Sequence, residues 1–512
     1  MTGSLSVVAV VAVCVVTVAV GGFGLRWSRT TSDFYVAGRA VSSSWNAAAI
    51  GGEYLSAASF LGVAGLVFLT GLDMLWVPVG YTLGFLMLLI FVAAPLRRSG
   101  AYTLPDFAEI RLGSARLRAL CTALVVITGW VYLLPQLQGA GLALRALTGA
   151  PAWCGGAVVS VVVAANVMAG GMRSLTLIQA VHYWVKLVAI AVPAVVVVWL
   201  WMRGGQPTPP MGWSFQGRMP GHPDSTVSSL YLTYSSLLAL CLGTMGLPHI
   251  VVRFYTNPDG RQARRTTVAV IALLSVFYLF PPIYGMVGRI HLPTSSGEFV
   301  SDTVVLLLPQ AAVPGAVGEL LTAVVAAGAF AAFLSTASGL TLAVAGVLDQ
   351  DVVRPLLGVR HGAEDDGITS FRLSTLLATA IPCLLLLGTE GASLATTVGL
   401  AFALTASTFC PLLVLGVWWR GATAAGVGVG MTVGAVTSLT AAVVTVSGVG
   451  LSGWPLLLAA QPAAWTVPSA FVTAVVVSWV TRAQVPADVM RVFVRLHAPE
   501  SLNLARGDDD RM

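Results

Sequence analysis

Two ionisable residues, Glu53 and Lys186, lie deep within apolar stretches of the 512-residue sequence. An ionisable group inside a membrane-spanning segment is costly unless it faces protein or water, so it marks a functional site by default. Glu53 follows the pair Gly51-Gly52 and precedes small polar residues, which predicts a broken helix. A break exposes carbonyls that can bind a cation and half-helix N-termini that suit an anion. The alternative explanation of the glycines is close helix packing.

A second break is predicted between residues 242 and 249, where two glycines and Pro248 interrupt another apolar run. The proline also removes a backbone donor. Counted along the chain, the two breaks fall in the second and seventh apolar spans. Five spans separate their starts, which is the spacing that an inverted repeat of five helices plus five requires.

Hydroxyl side chains cluster near the middle of the ninth span, in Ser335-Thr336-Ala337-Ser338. They fall within about one helical turn, and hard oxygen ligands of this kind suit a small cation such as Na⁺. The alternative is hydrogen bonding of each hydroxyl to the preceding turn of its own helix, which is common inside membranes. Both explanations stay open from the spacing alone.

Polar residues recur at three- and four-residue spacing in the sixth span, so they share one helical face. That face cannot point toward lipid. It either lines a solute or proton path or joins helices through hydrogen bonds. The residues are Thr176, Gln179, His182 (or Tyr183) and Lys186.

The elements that must position these residues are transmembrane helices. The chain is 57% hydrophobic and 9% charged, and its mean hydropathy of +0.87 is too high for a water-soluble fold. Its apolar blocks reach roughly the 20 residues that cross a ~30 Å hydrocarbon layer as helix, and they lack the alternation of a barrel. The predicted spans are thirteen in number: 4–25, 45–70, 73–96, 118–146, 153–171, 175–201, 229–251, 266–288, 316–347, 373–389, 393–418, 422–447 and 463–481.

The basic residues predict the orientation. With the N-terminus outside, 22 of the 27 basic residues fall in inside segments, and the outside segments hold only Arg145, Arg203, Arg218 and Arg289. The positive-inside rule then predicts a multi-pass protein of the cell membrane with a cytoplasmic C-terminus. We expect a single transmembrane domain over residues 1–481 and a cytoplasmic tail over residues 482–512 that is too short to fold alone.

Several function classes are disfavoured. The net charge of +6 is scattered through short loops, which argues against nucleic-acid binding. The six cysteines include no CxxC pair. No GxSxG, HExxH or P-loop motif indicates an enzyme or a resident cofactor, and no filter-like loop indicates a channel. A membrane sensor remains a rival, although such proteins usually append a kinase domain.

Five motifs together resemble the sodium:solute symporter family, and within it the acetate permease (cation/acetate symporter) branch. The resemblance spans roughly residues 30–420 and implies an all-α, leucine-transporter-like fold, with a five-plus-five inverted repeat over about residues 45–418. It implies a symporter importing a small organic solute, above all a short monocarboxylate such as acetate, propionate or pyruvate; proline, pantothenate and urea are alternatives. The motifs are SDFYVAGR at 32–39, YLSAASFLG at 54–62, GGMRS at 170–174, GLPHIVVRF at 246–254 and ASGLTLA at 337–343.

The resemblance further implies a sodium site between the second and ninth spans, formed by three backbone oxygens and two hydroxyls. Two residues depart from the pattern: Gln179 stands where sodium-coupled relatives place an Asp, and Glu53 where the branch has an Asp. These departures leave H⁺ as the alternative coupling cation, with the carboxylate of Glu53 as its carrier. The implied sodium ligands are Gly52, Leu55, Ala332, Ser335 and Thr336.

The solute is expected at the two breaks, where half-helix amides and Lys186 would compensate the negative charge of a carboxylate. In the expected cycle, cation binding at Ser335 and Thr336 stabilises an outward-open state and solute binding follows. The partners are thus a small organic solute, a coupling cation and the lipid bilayer. The expected solute contacts are Glu53, Tyr54, Ser59, Gln136 and Thr244.

Overall fold

The computed structural model describes residues 4–24, 41–205, 226–293, 298–358, 364–387, 393–447 and 450–499. The motif at 32–39 and the tail beyond residue 499 lie outside these ranges. Within them every regular element is helical, as expected in lipid, where each segment must satisfy its own backbone polar groups.

The helices are numbered in chain order. Those of the first half are α1 Ser4–Gly24, α2 Ser43–Tyr54, α3 Val63–Thr70, α4 Trp76–Phe91, α5 Ala93–Arg98, α6 Leu104–Leu112, α7 Ala115–Thr148 and α8 Ala152–Arg203. Those of the second half are α9 Thr226–Gly246, α10 Pro248–Tyr255, α11 Gly260–Phe277, α12 Pro281–His291, α13 Glu298–Ala312, α14 Ala316–Leu348, α15 Arg354–Leu357, α16 Glu364–Leu386, α17 Leu394–Trp418, α18 Ala424–Val446, α19 Trp454–Ala460, α20 Ala463–Val480 and α21 Val489–His497. Short π-helical turns at Ala58–Gly62 and Asp349–Val353 precede α3 and α15.

The number of spans agrees with the prediction. In the described part of the chain, 11 helices are long and apolar enough to cross a membrane, and the bent pair of α2 and α3 brings the number to 12. Helix α8 has 52 residues, which makes it about 78 Å long at 1.5 Å per residue. Gly171, with φ 55° and ψ −160°, interrupts it. Because its two parts are each long enough to cross the bilayer, they are separate spans, and the total is thirteen.

Both predicted helix breaks are present. Helix α2 ends at Tyr54, and the helix that continues through the π-helical turn into α3 is bent by 70° relative to it. In the seventh span, Leu247 has an extended conformation (φ −64°, ψ 115°) between α9 and α10. Pro248 then occupies the first turn of α10, where a missing N–H costs nothing. The second and seventh spans are therefore the broken helices of a five-plus-five repeat.

The eighth predicted span, 266–288, differs from a single straight helix. Helix α11 ends at Phe277 and α12 begins at Pro281, because consecutive prolines at 281 and 282 start a helix more readily than they continue one. The 15-residue helix α13 was not predicted as a span. It is too short to cross the bilayer and packs against α3, α12 and α14.

Close contacts between helices depend on glycine. A Cβ atom at Gly52 of α2 would collide with the backbone carbonyl of Gln179 in α8, and one at Gly51 would lie 3.0 Å from the ring of Tyr183. The glycine pair therefore serves close packing just before the break, so the two explanations offered by the sequence both apply.

Within the predicted tail, residues Val489–His497 form the helix α21, which packs against α5 and α6. A guanidinium nitrogen of Arg98 donates to the carbonyl of His497 at 3.1 Å. The guanidinium of Arg111 lies 4.9 Å from the ring centroid of Phe493. Arg111 was assigned to an inside segment by charge alone, yet it is buried and donates to the carbonyl of Gly416 at 2.7 Å.

Two glycines of α18 provide a matched test of this packing. A Cβ atom at Gly434 would collide with the carbonyl of Ser407, whereas one at Gly428 would lie 3.5 Å from Leu117. Alanine gains about 0.5–1 kcal/mol over glycine within a helix, but overpacking costs about 1–3 kcal/mol. We expect Gly434→Ala to lower the melting temperature of the purified protein and Gly428→Ala to maintain or raise it. Equal melting temperatures for the two variants would contradict this packing.

Candidate functional site

The predicted cation ligands come together where the break after α2 faces the middle of α14, and the side chain of Lys186 lies among them. The amine of Lys186 donates to the carbonyl of Leu55 at 2.8 Å, to Oγ of Ser335 at 2.7 Å and to the carbonyl of Gly52. Lys186 is fully buried. Three oxygens that the resemblance assigns to a sodium ion thus contact a side-chain nitrogen from α8.

The remaining predicted ligands lie beside this amine. Oγ of Ser335 is 2.7 Å from the carbonyl of Gly52 and 3.1 Å from that of Ala332. Oγ1 of Thr336 donates to the carbonyl of Glu53 at 2.5 Å. Both hydroxyls therefore bond to carbonyls at the end of α2. Ser335 also bonds to the preceding turn of its own helix, so both explanations that the sequence leaves open apply to it.

This arrangement follows from the break. The last carbonyls of a helix have no partner within it, and an unpaired carbonyl inside a membrane costs several kcal/mol. Because Gly52 has no side chain, α8 approaches α2 closely enough for Lys186 to reach those carbonyls. Ser335 completes the set from α14, against which α8 also packs.

A buried ion pair joins the two broken helices. Nε of Arg253, in α10, donates to Oε2 of Glu53, in α2, at 2.6 Å, and both side chains are 1% exposed. Arg253 also donates to Oγ1 of Thr176 at 2.8 Å and to Oε1 of Gln179. The carboxylate of Glu53 lies against Gly339 of α14, where no Cβ atom could fit.

Arg253 is a residue of the candidate site that the sequence did not single out. It lies two residues beyond the end of the predicted seventh span, among the basic residues of the inside segments. Its position in α10, immediately after the break and one residue before the end of the motif GLPHIVVRF, was the signal that could have identified it. Glu53, which was expected to contact solute, faces this arginine.

The polar face predicted in the sixth span joins helices. Nε2 of Gln179 donates to the carbonyl of Ser335 at 2.9 Å, and Nε2 of His182 lies 3.1 Å from Oγ1 of Thr17 in α1. Tyr183 points elsewhere and donates to the carbonyl of Leu273 in α11 at 2.9 Å. All of these predicted residues therefore have a hydrogen-bonding partner on another helix.

The other expected solute contacts lie around a group of aromatic residues at the two breaks, here called the tyrosine cluster and consisting of Tyr54, Tyr81, Tyr132 and Tyr278. The hydroxyl of Tyr54 is 2.7 Å from Oγ1 of Thr244, which connects one break to the other. The hydroxyl of Tyr278 is 2.8 Å from Oγ of Ser59. The rings of Tyr81 and Tyr278 stack at a centroid distance of 5.7 Å.

Two further polar groups adjoin the tyrosine cluster. Oε1 of Gln136 accepts a hydrogen bond from the amide of Ala57, within the first break, at 2.9 Å. His249, in the first turn of α10, packs against Tyr132 at a ring-centroid distance of 5.5 Å. It is 1% exposed, and neither of its ring nitrogens has a hydrogen-bond partner among the described residues. Since buried polar groups are normally paired, an unpaired imidazole marks a place where a ligand could bind.

Comparisons with known proteins agree with this architecture. A model of the sodium:solute symporter family matches residues 34–434. The uncharacterized symporter YwcA of Bacillus subtilis (strain 168) is 29% identical over 482 residues, which cover 90% of this chain and 91% of YwcA. The solved structure of a substrate-bound, outward-open Na⁺-coupled sialic acid symporter aligns with a TM-score of 0.71 at 14% identity, over 93% of this chain and 98% of that one. Mhp1, a nucleobase-cation-symport-1 family transporter in a closed conformation, aligns with a TM-score of 0.56 at 14% identity, over 91% and 99% of the two chains.

The ion pair between Glu53 and Arg253 can be tested with charge-neutral variants. Removing one partner of a buried pair leaves an uncompensated charge and costs about 3–5 kcal/mol, whereas removing both can be nearly neutral. We therefore expect Glu53→Gln and Arg253→Gln each to lower the melting temperature strongly, and the double variant to be more stable than either.

Arg289→Gln serves as the control, because Nε of Arg289 donates to the carbonyl of Phe68 at 2.6 Å and this bond leaves no acid unpaired when it is lost. It should cause a smaller decrease in melting temperature than Arg253→Gln. If the melting temperature of the double variant does not exceed that of the less stable single variant, the two charges do not stabilise each other.

Proposed function

Since the chain belongs to the sodium:solute symporter family, whose members are transporters rather than enzymes, we propose that this cation:solute symporter imports a short monocarboxylate such as acetate, propionate or pyruvate. The observation that carries the choice of solute is the unpaired imidazole of His249 beside the tyrosine cluster. An imidazole N–H donates to a carboxylate, and His249 lies in the first turn of α10, where backbone N–H groups and the helix dipole favour an anion.

The hydroxyls at the two breaks support the same class of solute. The hydroxyls of Tyr54 and Thr244 share one hydrogen bond, and Thr244 also donates to the carbonyl of Leu240 at 2.7 Å. Each proton can turn from its present acceptor toward a bound carboxylate oxygen when the helices move. Gln136, which accepts from the amide of Ala57, borders the other side of the break. Ser59, the remaining expected contact, bonds to Tyr278 in this conformation.

Aromatic crowding favours a small solute. The ring of Tyr54 lies edge-on to Phe85 at a centroid distance of 4.7 Å and to Phe402 at 6.2 Å. These rings would enclose a solute of a few carbon atoms and contact its alkyl part, while the polar groups at the breaks bind its carboxylate. Proline, pantothenate and urea, the alternative solutes, differ from acetate in size or charge.

Alternating access would require the contacts between the two broken helices to change. Under the predicted orientation, α2 and α10 form the cytoplasmic halves of the second and seventh spans, and the pair of Glu53 with Arg253 closes that side. Release of solute into the cell then requires this pair to separate or to move as a unit away from α14. A sensor of the same fold would bind the solute without such a cycle.

The identity of the coupling cation is a separate part of the proposal. Membership in the sodium:solute symporter family and the likeness to a Na⁺-coupled sialic acid symporter support Na⁺. H⁺ is the alternative, because Gln179 stands where sodium-coupled relatives place an Asp, Glu53 stands where the acetate branch has an Asp, and the carboxylate of Glu53 could carry the proton. The uptake experiment below separates the two ions.

Uptake by reconstituted protein tests the function. We expect proteoliposomes to accumulate labelled acetate when a cation gradient is imposed and to equilibrate it when none is imposed, since symport needs the downhill ion. Separate Na⁺ and pH gradients identify that ion, and unlabelled propionate, pyruvate, proline and urea are added as competitors. Binding of acetate without accumulation under either gradient would indicate a sensor, and competition by proline alone would replace the monocarboxylate.

The role of His249 is tested by His249→Leu, which removes the imidazole N–H. Loss of a hydrogen bond to a charged group costs about 1.5–3 kcal/mol, so the KM for acetate should rise roughly tenfold or more. His291→Leu, at the exposed end of α12, is the control and should leave the KM unchanged. An unchanged KM in His249→Leu would remove the observation on which the choice of a carboxylate depends.

A further inference from the structure

The oxygens that the family resemblance assigns to Na⁺ are bound here by an amine of the chain itself. Lys186 donates to the carbonyls of Gly52 and Leu55 and to Oγ of Ser335. We propose that the ammonium group of Lys186 takes the place of Na⁺ between α2 and α14, so that this symporter binds no Na⁺ at that site.

The chemistry of the site fits an ammonium group. An ammonium has three N–H donors and no acceptor, and Lys186 has three oxygen acceptors around it. Its distances of 2.8 Å to the carbonyl of Leu55 and 2.7 Å to Oγ of Ser335 are those of hydrogen bonds to a charged donor. A metal ion held by the same oxygens would occupy the position of this nitrogen. Two monocations cannot share it, because like charges at such a distance repel each other strongly.

The local charges lead to the same conclusion. In the part of the chain that the structure describes, the charged or titratable groups around Lys186 are Glu53 on α2, Arg253 on α10 and His182 on its own helix, and the neighbouring groups on α14 are hydroxyls and carbonyls. Arg253 compensates Glu53 directly, so the ammonium of Lys186 supplies the single positive charge that a Na⁺ ion would otherwise bring. No uncompensated carboxylate is left among these groups to attract a second cation.

A tethered cation has a consequence for transport. Na⁺ bound by α2 and α14 could leave with the solute, whereas Lys186 stays attached to α8 and returns with it. A Na⁺ gradient therefore performs no work through this site. The inference rests on the geometry at Lys186 and on membership in the family, and it is independent of which solute is transported.

The test is a Na⁺ titration of melting temperature in the absence of solute, with choline chloride keeping the ionic strength constant. We expect any Na⁺-specific rise in the melting temperature of the unmodified protein to persist in Ser335→Ala, because it does not arise at this site. Lys186→Ala vacates the oxygens, so it should gain a saturable, Na⁺-specific rise on the order of 2 °C once Na⁺ exceeds its Kd about tenfold. The double variant Lys186→Ala with Ser335→Ala should lose that rise, because one ligand is gone.

Either of two results overturns the proposal: a saturable, Na⁺-specific rise in the unmodified protein that Ser335→Ala removes, or no Na⁺ response in folded Lys186→Ala. Should Lys186→Ala not fold, binding of radioactive sodium to the unmodified protein decides the question alone, since binding that Ser335→Ala abolishes overturns the proposal and its absence supports it. Because no acetate is present in these measurements, failure of the monocarboxylate assignment leaves them interpretable.

Discussion

The transport core depends on how the carbonyls freed at the end of α2 are satisfied in a medium without water. Each would cost several kcal/mol if it stayed unpaired, and a broken helix presents more than one. Lys186 meets the carbonyls of Gly52 and Leu55 with one side chain and holds Ser335 with its third donor. Three helices, α2, α8 and α14, are thereby fixed relative to one another around a single nitrogen. The positions of the residues that pack on these helices therefore depend on that contact.

The second feature of the transport core is the buried ion pair beside Lys186. Glu53 and Arg253 form a pair that is almost fully shielded from solvent, and Thr176 and Gln179 bind the remaining nitrogens of the guanidinium. Breaking such a pair is far more costly than keeping it, although a pair of this kind adds little net stability over an apolar alternative. The pair and its neighbours connect the half-helix α2 with the half-helix α10 and with α8. Movement of either half-helix in a transport cycle must therefore act on all three.

On the other side of the breaks, the tyrosine cluster combines apolar area with hydroxyl groups that already bond to neighbours. The hydroxyl of Tyr54 bonds to that of Thr244, and the hydroxyl of Ser59 bonds to that of Tyr278, so these four hydroxyls have partners in the present conformation. The imidazole of His249 beside them has none among the residues that the structure describes. In the expected sodium site, by contrast, each oxygen that the resemblance assigns to Na⁺ already lies against a donor or another polar group.

The sequence by itself determined the membrane class, the number of spans and the location of both breaks, because these depend on composition and on glycine and proline within short windows. It also indicated that Ser335, Thr336 and the residues around Glu53 matter, since polar groups in apolar helices are rare. Only the tertiary structure decided which groups meet. Lys186 and Ser335 are 149 residues apart, and Glu53 and Arg253 are 200 apart. Local periodicity carries no information about such pairs: hydropathy treats Arg253 as a loop charge, and no spacing rule places an amine from α8 among oxygens of α2 and α14. The contacts of Lys186 arise because Gly52 lets α2 and α8 approach closely, a property of packing in three dimensions.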